Sequence, residues 1–342
     1  MRILFIGDLH FKKNNLHTME SMCTELEEMV KTGNIKLVVC LGDILDTHEN
    51  ISMKCLHMAS KFIINLSKLS RVIVLIGNHD RENNRDYLSE YHPFLNLMNH
   101  DNITVVYKTI WDQINNFIYV PYVPNNKFKQ ALETVEWTED GKKQPHLIFC
   151  HQEFKGCVMN KSISKTGDVW SDKYPKVISG HIHDYQVLSN IIYVGTPYQE
   201  QYGESEDKAV IIYDTTVDTY TRIRLQSVVR KITIDILYQN LNNFESIIPV
   251  DSKDLIRVNL IIDSCSVKEL QHNQNYQKLR QRVHKIILTQ TNTTVNYAAD
   301  ILKCHNPDQI NLIDIIHKLL ETDIDTLNIF NKYIITENTI LF

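Results

Sequence analysis

Glycine is scarce in this chain, with ten residues among 342, and no thiol pattern is present. The seven cysteines, Cys23, Cys40, Cys55, Cys150, Cys157, Cys265 and Cys304, are odd in number, and no two are spaced Cys-x-x-Cys. This excludes a zinc knuckle of that spacing, disfavours a disulfide framework and fits reduced thiols. There is no basic excess: 36 Lys and Arg face 41 Asp and Glu, for a net charge of −5. That argues against a protein that binds DNA by charge alone. It leaves open an enzyme whose metal ions supply the local positive charge. No apolar run approaches the roughly 20 residues needed to cross a bilayer. Met1 leads straight into strand-like Ile3–Ile6 with no cleavable signal pattern. The expectation is an intracellular protein without a membrane partner, cytoplasmic or nuclear, or in a viral factory where the source is a virus.

What is present is ordinary soluble composition, 43% hydrophobic and 23% charged, in a chain long enough for two or three domains. No internal repeat or low-complexity tract stands out. From residue 1 to about 215 strand and helix patterns alternate. Met19, Met22, Leu26 and Met29 recur at helical spacing over Thr18–Lys31, with Gly33 as the stop. Met53, Leu56, Phe62, Ile63, Leu66 and Leu69 mark a second helix over Met53–Leu69. The methionine stripe reads as core. Residues 119–124 are extended and stiffened by proline, residues 134–145 read as a loop, and Gly156–Trp170 as a surface loop beside His151.

Composition changes near residue 225. Lys231–Tyr238 and Leu255–Ile262 read as strands, Asn275–Gln290 as a helix and Thr294–Tyr297 as a short strand, together a small α+β unit. From Asn306-Pro307, a good helix start, an apolar stripe of Ile313, Ile316, Leu320, Leu327 and Phe330 predicts a helical tail. The expected division is 1–224, 225–300 and 301–342.

Four of the ten glycines stand directly before metal-type side chains, in Gly7-Asp8-Leu9-His10, Gly42-Asp43, Gly77-Asn78-His79-Asp80 and Gly180-His181-Ile182-His183. Each follows an apolar, β-branched run, and a fifth run, Leu147–Cys150, ends at His151. Ligands of α/β sheets collect at the carboxyl ends of strands. One Asp-x-His or one Gly-His-x-His alone carries little, since chance matches are common. Five strand-ending matches in consistent order are different.

The chemistry such a set serves is hydrolysis of a phosphate ester. Two divalent ions about 3.5–4 Å apart clamp the phosphate and lower the pKa of a bridging water. Cations so close need a bridging carboxylate, for which Asp43 is the candidate. Asp8, His10, Asn78, His151, His181 and His183 supply the other ligands. Carboxylate, amide and imidazole without thiolate suit manganese, iron or zinc better than calcium. His79 follows the ligand Asn78 and is placed to protonate the leaving oxygen, with Asp80 expected to orient its imidazole. His48, close after Asp43, stays unassigned. Histidines outside the motifs, such as His17, His57, His92 and His100, read as packed or solvated.

These residues resemble the calcineurin-like metallophosphoesterase superfamily, whose signature runs Asp-x-His, Gly-Asp-x-x-Asp, Gly-Asn-His-Asp/Glu, a lone His, then Gly-His-x-His. All five are intact across residues 8–183. The resemblance implies a β-sandwich flanked by helices, with one ion held by Asp8, His10, Asp43 and His183. The other would be held by Asp43, Asn78, His151 and His181. Tyr193-Val194-Gly195-Thr196-Pro197 through Gly203-Glu204 to Lys208 is similar to a segment of SbcD-type DNA repair nucleases, as is the Pro121-Tyr122 stretch.

That narrower resemblance implies a manganese-dependent exonuclease and endonuclease subunit in recombination and repair, working through a hydroxide that bridges two Mn2+ ions. It further implies a homodimer, a small domain that caps the DNA cleft, and a tail that docks on an SMC-like coiled-coil ATPase of SbcC type. Eukaryotic and archaeal members carry His three residues after the bridging Asp. Here Asp46 stands there, as in bacterial and phage relatives, which bears on the balance of exonuclease and endonuclease action. Lys12, Lys13, Arg81 and Arg85 follow the first and third motifs and are the expected phosphate contacts.

Two other readings stay open. One is a phosphatase or cyclic-nucleotide phosphodiesterase. Thr47-His48 after Asp46, in place of Arg-Gly, counts against a protein phosphatase. The other is a non-catalytic scaffold of the same fold, disfavoured because no ligand is lost.

Overall fold

The computed structural model describes residues 1–290 except 49, 140, 142–143, 160–161, 250–251 and 263–266. Two compact units emerge: Met1–Ile232 with Lys253–Leu255, and Thr233–Ser252 with the chain from Ile256 onward. The expected strand Thr294–Tyr297, the tail 301–342 and its stripe of Ile313, Ile316, Leu320, Leu327 and Phe330 lie outside the described residues.

The first unit holds two six-stranded sheets. One runs Thr219–Ile223, Val210–Asp214, Arg2–Ile6, Leu37–Cys40, Arg71–Leu75, Ile103–Val106. The other runs Gln186–Leu188, Ile191–Tyr193, Lys176–Ser179, Leu147–Cys150, Phe117–Val120, Ile110–Asp112. The inner strands of each are parallel, paired Ile3 with Leu37, Val38 with Val72, Val177 with Leu147's neighbour Ile148, and Ile118 with Ile148. Their β-branched runs are buried on both faces, as parallel strands require.

Alternation along each strand divides three apolar layers. Ile3, Phe5, Leu37, Val39, Ile73 and Leu75 meet Phe117, Tyr119, Leu147, Phe149 and Ile178 between the sheets. Phe149 sits 5.0 Å from Phe5 and 5.1 Å from Phe117, ring centre to ring centre, tying the sheets together. Leu4, Ile6, Val38 and Val72 face outward onto helices Leu16–Thr32 and Met53–Ser67. The second sheet's outer face, with Ile118, Val120, Ile148 and Val177, packs on Phe128, Leu132 and Trp137. This is the mixed α/β sandwich flanked by helices that the motifs imply.

Met19, Met22 and Leu26 are fully buried, as a core stripe should be. Gly33 ends the first helix, its N–H reaching the Met29 carbonyl at 2.8 Å. The second helix stops at Ser67, and its expected apolar ends, Met53 and Leu69, are exposed. The expected surface loop Gly156–Trp170 contains a short antiparallel pair, Val158–Met159 with Ser162–Ile163. Its β-branched residues adopt extended backbone although they bury little.

The second unit carries most of a sheet ordered Lys231–Leu237, Leu255–Ile262, Lys285–Gln290. Along Leu255–Ile262, Ile256, Val258, Leu260 and Ile262 turn inward onto Phe244, Leu270 and Leu279. The helix expected over Asn275–Gln290 is half right. A helix spans Gln274–Arg282, and Lys285–Gln290 is a strand parallel to Leu255–Ile262. The Asn273 side chain caps the helix, accepting from the N–H groups of Asn275 and Tyr276. Ile286, Ile287 and Leu288 match helical spacing and a short strand equally well, and the free edge of the sheet decided between them.

Candidate metal centre

Every motif residue sits just past the carboxyl end of a parallel strand. Asp8 and His10 follow Arg2–Ile6, Asp43 follows Leu37–Cys40, and Asn78 and His79 follow Arg71–Leu75. From the other sheet come His151, after Leu147–Cys150, and His181 and His183, after Lys176–Ser179. The two sheets thus bring their strand ends to one point. The turns are tight. His10, Asp43 and His181 occupy the left-handed region, with φ of 45°, 47° and 77°, a conformation that costs energy and gathers at functional sites. Gly42 has φ of +99°, and a Cβ there would lie 2.4 Å from His151 Nδ1. A Cβ at Gly77 would lie 2.2 Å from both the Asp43 nitrogen and Oδ1. The scarce glycines mark where backbone must press against ligand side chains.

The donor atoms face one another. Asp43 Oδ2 lies 3.3 Å from His151 Nε2 and 3.9 Å from His10 Nε2, between two groups of donors. On one side His10 Nε2 and His183 Nε2 are 3.2 Å apart. On the other, Asn78 Oδ1 is 2.9 Å from both His151 Nε2 and His181 Nδ1. Main-chain N–H groups lock the turns together: Leu9 and His10 N–H donate to the Asp43 carbonyl, His79 N–H to Asp43 Oδ1, and His181 N–H to Asp8 Oδ1.

Electrostatics follow from burial and crowding. His151 Nδ1 donates to the Leu41 carbonyl at 2.7 Å, so Nε2 is the atom it turns to the centre. Burial would lower its pKa, but Asp43 and Asp8 outweigh burial and raise it to about 9. Those carboxylates draw positive charge to this point, as they would a metal ion's. Burial also opposes ionisation of Asp43, yet His151, His10 and His79 hold its pKa below the usual carboxylate range. His181 falls to about 3 through burial and the neighbouring His151, and burial likewise lowers His10, so both stay neutral and ligand-competent.

The residues fit divalent ions. The Oδ2 of Asp8 is buried without a hydrogen-bond partner among the described residues. Three groups, His10 with His183 and Glu200, His10 with Asp43 and His79, and Asp43 with His151 and His181, each hold ligand atoms within 4.8 Å of one another.

Two expected roles are corrected. Asp80 does not orient His79. Its buried carboxylate accepts the N–H groups of Ile44, Leu45 and Gly77 at 3.1, 2.9 and 3.1 Å and so ties the second turn to the third. Burial and the nearby Asp43 push its pKa up to about 7. The His79 ring is instead aimed by the Asp46 main-chain oxygen, 2.8 Å from Nδ1. Arg81 is not a free phosphate contact. It is 3% exposed, and its guanidinium donates to the carbonyls of Tyr122 and Asp86, pinning the Tyr119–Pro124 segment. Lys13 and Arg85 are exposed. Lys12 is half-buried between Asp46 and Glu200, 3.0 Å from each.

Sequence reading missed two neighbours. His48 stacks on His79 with ring centres 4.8 Å apart and planes 16° from parallel. Its closeness to Gly42-Asp43 was the only signal. Glu200 reaches the His10 side of the centre from the Gly195–Lys208 segment, and no motif marks it. That segment also anchors the fourth turn, since Lys208 Nζ donates to the His183 carbonyl at 2.8 Å.

A helix-flanked sandwich whose strand ends gather Asp, Asn and His in this way defines a metal-dependent hydrolase of phosphate esters. The chain belongs to the calcineurin-like phosphoesterases, whose family model matches residues 1–185. Protein 244L of Invertebrate iridescent virus 6, provisionally named a phosphoesterase, is 40% identical over 216 residues, 62% of this chain and 75% of that one. Protein 078R of Invertebrate iridescent virus 3, named in the same way, is 35% identical over 211 residues, 61% of this chain and 60% of that one. Exonuclease subunit 1 of Enterobacteria phage T4 is 23% identical over 234 residues, 64% of this chain and 66% of that one. No described helix is long and apolar enough to cross a membrane.

Proposed function

We propose that this chain is the nuclease subunit of a DNA repair or recombination complex of SbcD type, a manganese-dependent exonuclease and endonuclease. The observation that carries the reading is the likeness to the T4 exonuclease subunit, which runs over 234 aligned residues, more than the 185 the family model matches. The Tyr193–Lys208 segment supports it from inside the molecule: Tyr198 donates to the Leu9 carbonyl and Lys208 to the His183 carbonyl. The segment that resembles the SbcD-type nucleases is thus tied to the first and last of the motif turns.

In this reading Asp8, His10, Asp43 and His183 hold one ion, and Asp43, Asn78, His151 and His181 the other. When bound, the pair polarises the phosphate and lowers the pKa of a water between the ions. The chain's own residues do the rest. Asp43 sets the spacing by lying between the two donor groups. The Asp46 carbonyl can only accept, so His79 Nδ1 carries a proton and Nε2 faces the substrate. A protonated Nε2 gives its proton to the leaving oxygen as the phosphorus–oxygen bond breaks. Lys13 and Arg85 are the remaining candidates for phosphate contact.

The second unit takes the role of the DNA-capping domain, residues 301–342 dock on an SMC-like coiled-coil ATPase, and two copies pair. The deciding experiment is digestion of labelled single- and double-stranded DNA with Mn2+, beside a small phosphodiester. Cleavage of DNA is the expected result. Hydrolysis of the small ester alone overturns the nuclease reading in favour of a small-substrate phosphodiesterase.

A further inference from the structure

We propose that Glu200 is an additional ligand of this centre, on the side of His10 and His183, and that Lys12 holds it in place. The proposal rests on the two-ion reading above. The Glu200 side chain is 7% exposed, and its Oε1 is 3.7 Å from His10 Nε2. That oxygen has no hydrogen-bond donor among the described residues. Burying a carboxylate oxygen without a partner is costly unless a cation meets it. The other oxygen, Oε2, takes the Lys12 ammonium at 3.0 Å, which leaves Oε1 directed at the imidazoles. One ligand atom each from His10, His183 and Glu200 lies within 4.8 Å of the others.

The loop that carries Glu200 is held on both sides. The Glu204 carboxylate accepts the N–H groups of Glu200 and Gln201, at 3.0 and 2.9 Å. Lys231 Nζ donates to the carbonyls of Gln199 and Glu200, at 2.9 and 2.7 Å. The carboxylate therefore stands at the centre on a braced backbone, the arrangement expected of a ligand. With Glu200, the His10 side has three carboxylates, from Asp8, Asp43 and Glu200, against two imidazoles. An oxygen-rich set of this kind favours manganese over zinc at that position.

The test is Mn2+ titration of the full chain by calorimetry, wild type against Glu200→Gln, with melting of the metal-free proteins as a check on folding. Wild type binds two ions. Glu200→Gln is expected to melt like wild type without metal and to lose at least tenfold in affinity at one site, with the other changed less than threefold. Glu200→Asp, which restores the charge one methylene short, binds the weakened ion more tightly than Glu200→Gln. In Co2+-loaded protein Glu200→Gln also changes the visible d–d band, which a charge acting from a distance leaves unmoved. Two ions bound with wild-type affinity by Glu200→Gln overturn the proposal and leave the two-ion reading standing. A wild-type chain that binds no ion overturns both.

Discussion

The imidazole of His79 is aimed by the main-chain carbonyl of Asp46, 2.8 Å from Nδ1, and not by a neighbouring carboxylate. Because a carbonyl only accepts, the proton on Nδ1 is set by the fold of the second turn, and Nε2 is left for the reaction. On the proposed nuclease reading, in which His79 acts on the leaving oxygen and is not a ligand, a His79→Asn chain is expected to keep its ions and to lose about 10²- to 10⁴-fold in DNA cleavage. Metal content by mass spectrometry beside cleavage rates checks both halves. Full activity in that chain sinks the role given to His79.

His48 lies flat against His79, with ring centres 4.8 Å apart. Offset ring stacking contributes about 0.5–1.5 kcal/mol, so His48→Ala is expected to lower kcat roughly two- to tenfold. KM and metal affinity should hardly move. Steady-state kinetics on one DNA substrate decides the matter, and a change confined to KM would place His48 on the substrate instead.

Asp80 is a structural residue whose loss is felt as stability. Replacing it by Ala strands three buried N–H groups, those of Ile44, Leu45 and Gly77. At about 1–3 kcal/mol each, that approaches the entire stability of an ordinary domain, roughly 5–15 kcal/mol. Asp80→Ala is expected to be insoluble or to melt far below wild type, with Asp80→Asn in between. An Asp80→Ala chain that melts like wild type yet is inactive would return Asp80 to catalysis.

Acid should weaken the link between the two sheets at Asp112. Its carboxylate accepts from the Ile114 and Asn115 N–H groups, the Asn115 side chain and Arg71, at 3.0, 3.1, 2.9 and 3.0 Å. Burial opposes its ionisation, but the Asn115 hydrogen bonds and Arg71 leave its pKa below the usual value. A carboxylate with depressed pKa stabilises the fold above its unfolded pKa of about 3.9, and the contribution fades as pH falls through the lower folded value. Arg71 is partly exposed, so solvent screens that pair. Asp112→Asn should cost about 1–2 kcal/mol at neutral pH, and the two denaturation curves should draw together below about pH 3. A gap of constant size across that range would exclude the ionised carboxylate as its source.

Metal removal should be readable without substrate. Ions that bind only the folded chain stabilise it by about 2.7 kcal/mol at a hundred times Kd. Tm is expected to rise with Mn2+ in wild type, to fall with chelator, and to respond less in Asp43→Asn. Asp43 lies between the two donor groups, so its loss weakens both.

Much of this was legible in the chain. A glycine before four of the five polar turns, after a β-branched run, identified those strand ends. The reason is steric: at Gly42 and Gly77 a Cβ would strike a ligand side chain or its backbone. The methionine stripe of the first helix was readable because 3.6-residue spacing and burial coincide. Lys285–Gln290 was not, because a short apolar run fits both periods until a partner strand takes it.

The sequence by itself determined which turns carry carboxylate, amide and imidazole side chains, since those choices are local: turn, strand end and side-chain chemistry. Tertiary structure decided their company. Whether Asp80 faces His79 or three backbone amides, whether Arg81 reaches outward or caps the Tyr122 carbonyl, and whether Glu200 arrives beside His10 all depend on segments far apart in the chain meeting at one point. Contacts of that kind are set by how two sheets pack, which no single segment encodes.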